Sequence, residues 1–445
     1  MTRDENCEEF DPEVIEAFES VKGYRYVRGF LMRIAEILRG NPKFKALGSR
    51  DPSGIILFGK NGAGKTTLAN CLIRASGRPS FQIHHISPLT TNYRQITDVF
   101  AAAENQTPSI IFLDDLDQYS TISTYLEIKL KECMDAIEGK NVFIVFTADR
   151  YDYYETLIRP GKIDIALDLE AIDQEDIREI VEPILNAGNM NTELAPQKIA
   201  KILSSPETTP LIVKNIMKQA VLEAASNNHP CITAFDFFLA RLSIIKDRQG
   251  CSLEEINRQN EKRSLPQEAY ETAAKTVVLE VMAPGTVDVA AIYMSSGTTA
   301  STILKRREDG EYSAGKEAIY ERDIIANAAA RMIDIMKFGI VKNEPVVQLE
   351  EVYHFLEEIS EDGIWFDLGG NENGLDQENN NINIRVLAVI AERIASYLLI
   401  KHQRFVDALA NMLLQEGIVL DDQIQECRRK SESSTDEKSF FGFNN

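Results

Sequence analysis

The segment GKNGAGKT at 59–66 restricts the fold more than any other stretch, because it lies between the apolar run GIILF (54–58) and the helix-compatible TLANCLIRA. Its glycines permit backbone turns closed to residues with a Cβ, so successive N–H groups can face inward around an anion. A strand entering such a loop and a helix leaving it direct the positive helix end at the same anion. The pattern G-x4-G-K-T predicts a nucleotide-phosphate site at the carboxyl end of a buried strand. Gly59, Asn61, Gly62, Ala63, Gly64 and Thr67 line that cradle, Lys65 reaches the β- and γ-phosphates, and Thr66 holds Mg2+.

Further short apolar runs, SIIFLDD (109–115), NVFIVFTA (141–148) and IDIALDLE (163–170), alternate with helical patterns. Buried strands alternating with helices predict a mostly parallel α/β sheet. The run IIFLDD sets Asp114 at a strand end, where a carboxylate can hold Mg2+ through water. Asp115 beside it can orient the attacking water. From Pro12 to Leu38 and from Asp173 to Asp247 the periodicity is helical, the second stretch turning at SSPETTP (204–210). The polar KDRQGCSLEEINRQNEKRS (246–264) reads as a linker. Beyond it, VDVAAIYM (287–294) is β-like, FDLGGNENGLDQENNN (366–381) reads as a flexible loop, and 383–426 is strongly helical.

The resulting division is an acidic disordered N-terminus (1–17), an α/β domain (18–170), a helical lid (171–247), a linker (248–264), a helical domain (265–427) and a disordered tail (428–445). A net charge of −21 argues against a nucleic-acid partner, which needs basic surface. The six cysteines include no CxxC pair, the pattern of reduced cytoplasmic thiols rather than a disulfide framework. No apolar run approaches the ~18–20 residues that span a bilayer, so membrane insertion is not expected.

Taken in order, GKNGAGKTTLA, SIIFLDDLD and FTADRYDYYETLIRPGKID resemble the Walker A, Walker B and second-region-of-homology segments of AAA+ ATPases, specifically of the FtsH-type zinc proteases. TPLIVKNIMKQAVLEAA with CITAFDFFLARL resembles the lid of that family. AYETAAKTVV (269–278) resembles the family's AYHEAGHAVV helix, and GTVDVAAIYM the strand after it. RDIIANAAARMIDIMKFG, the long helix 384–414 and LDDQIQEC resemble the remainder, so the likeness covers roughly residues 18–427. It implies an α/β P-loop AAA+ domain with a helical lid, then a mainly α-helical peptidase-like domain, with ATP and Mg2+ as ligands.

The resemblance also exposes departures. Asp115 stands where most relatives carry Glu, one methylene longer. Asp149 takes the sensor-1 place of an Asn, and a carboxylate there repels a γ-phosphate unless protonated or paired with a cation. Arg159 matches the first arginine finger and Lys162 replaces the second, both acting on a neighbouring subunit, by resemblance in a hexamer. Lysine supplies charge without the two-pronged donor geometry. In the pore loop, where the family places an aromatic residue followed by a small apolar one and a glycine, Pro88 and Leu89 occupy the aligned places, and the family's N-terminal membrane anchor has no counterpart.

In the second half Glu271, Thr272, Lys275 and Gln348 stand where the family has two zinc-binding His, the Glu base and the third ligand. A zinc peptidase needs those groups, and none of the chain's five histidines falls in zinc spacing. Glu271 and Lys275, four apart, instead predict a helix ion pair. The expectation is therefore a weakly hydrolysing ATPase without zinc, working as a homo-oligomer or with a related ATPase on a protein partner. The second reading is a nucleotide-gated scaffold or pseudoprotease subunit with little turnover.

Overall fold

A computed structural model describes residues 10–41, 52–83, 93–115, 124–150, 157–159, 161–169, 172–188, 190–246, 265–295, 298–305, 316–340 and 377–433. The chain divides into two units, Met1–Ile245 and Lys246–Asn445.

The first unit opens with α1 (Pro12–Phe18) and α2 (Arg25–Arg39). α1 occupies a stretch where acidic composition predicts disorder through residue 17. The Asp11 side chain accepts from the Glu13 N–H, Pro12 presets the first turn, and Val14, Ala17 and Phe18 are buried. A cap and three apolar anchors outweigh the local charge.

The sheet and its helices follow as β1 (Gly54–Phe58), α3 (Lys65–Ser76), β2 (Ser80–Ile83), α4 (Tyr93–Asn105), β3 (Ser109–Leu113), α5 (Thr124–Ala136), β4 (Val142–Ala148) and β5 (Ile165–Asp168). All five strands are parallel in the order β2-β3-β4-β1-β5. β3 and β4 are buried at every position, as their unbroken apolar sequence requires. β5 differs from the buried strand that its sequence suggests. It lies at the sheet edge, and its residues alternate between exposed and half-buried. A strand with one neighbour can cover only one side of its apolar run.

Four helices, α6 (Gln174–Asn186), α7 (Pro196–Leu203), α8 (Pro210–Ser226) and α9 (Ala234–Lys246), form the all-helical lid that the periodicity of 173–247 predicts. Each start has a local cause. Asp173 accepts from the Asp176 N–H, Pro196 and Pro210 occupy first-turn positions, and Thr209 accepts from the Ile212 N–H. The start of α2 is tied to α6. Arg25 meets Asp173 at 3.1 Å and Asp176 at 3.2 Å, and Arg28 meets Glu179 at 2.8 Å.

The second unit comprises α10 (Leu265–Met282), β6 (Val287–Ser295), β7 (Thr298–Lys305), α11 (Lys316–Ile333), α12 (Gln377–Lys401), α13 (Gln403–Glu416), β8 (Ile418–Leu420) and α14 (Asp421–Ser433). β6 is the strand expected from VDVAAIYM. It is the middle of an antiparallel sheet ordered β7-β6-β8, whose flanking strands the helical reading does not contain. β8 interrupts the 383–426 region: Gly417, at φ 73°, ends α13, and Ile418, Val419 and Leu420 then pair with β6. The single long helix expected over 384–414 is two helices, broken at His402 with φ −110° and ψ 25°. Residues 377–381, read as loop from their Asn content, are the first turns of α12. Ala269, Ala273 and Val277 of α10 pack in one core with Phe405, Leu409 and Leu413 of α13. Among the described residues Cys71, Cys133, Cys231 and Cys427 are free thiols.

Candidate nucleotide site

Because β1, β3 and β4 are adjacent and parallel, their carboxyl ends share one edge. Phe58 is in register with Ala148, and Leu113 with Phe146. The residues that follow, Gly59, Asp114–Asp115 and Asp149, are thereby brought together from 91 residues of sequence (59 to 149, counted inclusively). This is the edge at which open α/β sheets hold ligands.

The loop after β1 needs its glycines for two different reasons. At Gly59, φ 144°, a Cβ would lie 2.7 Å from the Leu169 carbonyl oxygen, so the backbone can pass there only without one. Gly64, φ 93°, caps α3, and a Cβ there would meet nothing within 4 Å. Its left-handed backbone bars a side chain and keeps that space open at the helix N-terminus.

Lys65 is 5% exposed, and its Nζ donates to the Gly59 carbonyl at 2.8 Å and to Asp149 Oδ1 at 2.6 Å. The sequence leaves Asp149 as a carboxylate in need of a cation, and the structure supplies Lys65. A chain of hydrogen bonds runs beside this pair. Thr66 Oγ1 donates to Asp114 Oδ1 at 2.9 Å, Thr147 Oγ1 donates to the same oxygen at 2.6 Å, and the Asp115 N–H donates to Thr147 Oγ1 at 2.8 Å. Asp115 has φ 54°, a left-handed conformation that Asp tolerates at a cost of about 1 kcal/mol. Sequence reading missed Thr147. Its signal was a lone hydroxyl in the otherwise apolar VFIVFTA, and only strand register reveals that it faces the acid pair.

The donor set fits a magnesium nucleotide: a hydroxyl and a carboxylate 2.9 Å apart are hard oxygen ligands, next to the open space at Gly64 and a buried ammonium. Thr66 would bind the ion and Asp114 would hold its water, and Mg2+ held there would supply positive charge against the phosphates. The lid adjoins the loop from outside. Lys60 Nζ meets Glu207 Oε2 at 2.5 Å, and the Leu211 N–H donates to the Gly62 carbonyl at 3.4 Å.

The two finger positions lie apart from this cluster's contacts. Arg159 is exposed, and its carbonyl accepts from the Lys162 and Ile163 N–H groups at 3.0 and 3.2 Å. Lys162 pairs with Asp135 of α5. Pro88, Leu89, His84, His85, His354 and Gln348 lie outside the described residues.

On α10 of the second unit, Glu271 is 5% and Thr272 1% exposed. Gln267 Nε2 donates to Glu271 Oε1 at 3.2 Å and to Asp334 Oδ2 at 3.0 Å. Thr272 Oγ1 donates to the Glu268 carbonyl at 2.7 Å, and Ser301 Oγ donates to Glu268 Oε1 at 2.6 Å. The Glu271–Lys275 ion pair expected from spacing does not form, and among the described residues Lys275 has no ion-pair partner. Glu271 is turned to the interior, where a buried amide outcompetes a half-exposed ammonium. Among the described residues no three His, Cys, Asp or Glu side chains are grouped to hold a metal ion. No described helix is long and apolar enough to cross a membrane.

Residues 55–171 match the model of the ATPase family associated with various cellular activities (AAA). This part of the chain has the fold of an AAA domain, a parallel five-stranded sheet flanked by helices. Among curated proteins, the chain is 29% identical over 238 residues to the ATP-dependent zinc metalloprotease YME1L of Drosophila melanogaster, covering 49% of this chain and 32% of that one. It is 26% identical over 237 residues to the ATP-dependent zinc metalloprotease FtsH of Mycoplasma pneumoniae, covering 49% and 33%. A longer match, 23% identical over 363 residues, joins it to FtsH of Pelobacter propionicus and covers 77% of this chain and 56% of the relative. The matched region thus spans about a third to just over half of these relatives' lengths.

Proposed function

We propose that the first unit binds Mg-ATP and hydrolyses it slowly, within a ring that binds or remodels a protein partner. The hydrogen-bonded series Thr66–Asp114–Thr147–Asp115 at the sheet edge is the observation that carries the reading. It holds the magnesium-binding pair in place and anchors the backbone of the water-orienting acid. Slow turnover follows from the short Asp115 side chain, since even a ~1 Å misplacement costs about a hundredfold. Arg159 is exposed and available to a neighbouring subunit, which supports a ring, by likeness to the relatives a hexamer.

The second unit serves assembly or partner binding rather than cutting. The relatives are named as zinc metalloproteases, whereas Glu271 and Thr272 here are engaged in internal hydrogen bonding or burial. A zinc ion, a nucleic-acid partner and membrane insertion form no part of this reading, which places the protein in the cytoplasm. The second reading, a nucleotide-gated scaffold with little turnover, is favoured by one contact: Lys162 is held by Asp135 within its own chain.

Steady-state ATP turnover measured against protein concentration tests both. A slow rate that rises with concentration and is lost in Arg159→Ala supports the ATPase ring. A rate independent of concentration and of Arg159 rejects the ring, and no turnover at any concentration leaves the scaffold. Cleavage of an unfolded protein on adding Zn2+ would refute the non-cutting role.

A further inference from the structure

We propose that Asp149 makes the site selective for a nucleoside diphosphate over the triphosphate, so that the diphosphate form is the resting ligand. This deepens, and rests on, the nucleotide-binding reading above. The observation is the ion pair itself. The Lys65 ammonium is 5% exposed and has a carboxylate oxygen at 2.6 Å, while its second hydrogen bond closes the loop on the Gly59 carbonyl. The position is set by the sheet, because Asp149 follows β4 directly beside the start of the loop, with Phe58 and Ala148 in register.

A phosphate group in the cradle meets two kinds of donor. The β-phosphate is held chiefly by backbone N–H groups of the loop and the start of α3, with Lys65 reaching it as well. A γ-phosphate depends in addition on the Lys65 ammonium, and there Asp149 is already bound. Two anions then share one buried cation. Either the carboxylate stays and repels the γ-phosphate at close range, or it swings away and forfeits a charge-assisted hydrogen bond. Its side chain is 38% exposed, so the second route is open. Both routes cost the triphosphate more than the diphosphate, because the γ-phosphate brings further negative charge to the shared ammonium, and specificity is that difference. An uncharged amide at the same place would impose neither penalty.

The test measures ADP and ATP dissociation constants by calorimetry with Mg2+ present, on the full chain, for the wild type, Asp149→Asn and Lys65→Ala. The wild type is expected to bind ADP at least tenfold more tightly than ATP. Asp149→Asn should reduce that ratio at least tenfold, chiefly by strengthening ATP. Equal affinities in the wild type, or a ratio unchanged in Asp149→Asn, overturn the assignment to Asp149. If the wild type binds neither nucleotide, the nucleotide site itself is refuted and this inference with it. Lys65→Ala separates these cases, since it should weaken ATP through the loss of the ammonium whether or not Asp149 discriminates. A matching thermal midpoint for Asp149→Asn and wild type shows that the change in ratio is not a folding defect.

Discussion

Helices α3 and α10 both begin at a polar motif, yet they use their polar side chains in opposite ways. At the start of α3, Lys65 is buried but its carboxylate partner is 38% exposed, and the space beside Gly64 is open. At the start of α10, Gln267, Glu268, Glu271 and Thr272 are all at most 7% exposed, and amide, hydroxyl and backbone groups of the same unit answer them. A polar cluster built to exchange ligands keeps one side open. One built to hold a fold is closed by its own neighbours, and its chemistry is consumed there. The closed cluster of α10 occupies the segment that resembles the family's zinc helix, and spacing alone, which predicts a Glu271–Lys275 ion pair there, misreads which side chain turns inward.

Lys65→Ala should break the open cluster most severely. Loss of a buried charge-assisted donor predicts ATP affinity at least about a hundredfold weaker by calorimetry, equivalent to roughly 3 kcal/mol. Lys275→Ala on α10 should leave that affinity within about twofold, and an equal loss there would end the contrast. In the closed cluster, Gln267→Leu withdraws one amide from two buried carboxylates. Urea unfolding should show unit two less stable by about 2–4 kcal/mol, with nucleotide affinity unchanged. Thr147→Val sits between the extremes. It removes a donor from Asp114 and an acceptor from the Asp115 N–H, so a loss of about 1–3 kcal/mol in stability is expected together with a lower ATP turnover.

The lid offers a closed cluster that titrates. Asp236 is fully buried, and it accepts from the Thr233 N–H and hydroxyl, His229 and Asn227. Burial raises its pKa, but these hydrogen bonds together outweigh burial and hold the carboxyl below its ordinary value. Since the folded pKa is the lower one, its stabilisation is complete above the unfolded value of about 3.9 and lost as pH falls through the lowered folded value. Thermal midpoints measured from pH 7 down to pH 3 should therefore drop on the acid side, and Asp236→Asn should flatten that limb. The smallest effect belongs to Arg25→Ala. Arg25 and Asp173 are about half exposed, but Arg25 also answers the buried Asp176, so chemical denaturation should register about 1–2 kcal/mol.

What could be read from the sequence was whatever is encoded within a few consecutive residues. The phosphate loop, Asp114 and the three central strands of β1, β3 and β4 were legible because glycine spacing and unbroken apolar runs are local signals. Thr147 was not, since its partners Asp114 and Asp115 lie 33 and 32 residues away and meet it only through strand register. Spacing placed Glu271 and Lys275 on one helix face but could not say which of them turns inward. β8 escaped because three residues carry too little periodicity to stand out between two helices, and their pairing to β6 is decided far along the chain. The Lys65–Asp149 contact stood between these cases. The sequence raised the problem of an extra carboxylate, and the geometry answered it with the loop's own lysine.

The salt bridges from α2 to α6 have a mechanical side. Arg25 and Arg28, with the Gly23 N–H on Glu179, fasten the segment just ahead of the sheet to the first lid helix. A pull applied to the chain upstream of Tyr24 therefore loads α6, and it loads α3 as well, since Arg74 of α3 donates to the Glu16 carbonyl of α1 at 2.7 Å. The lid in turn touches the phosphate loop through Glu207 and Leu211. Tension on the N-terminal side of this unit and the grip on a phosphate thus act on the same few helices from opposite ends.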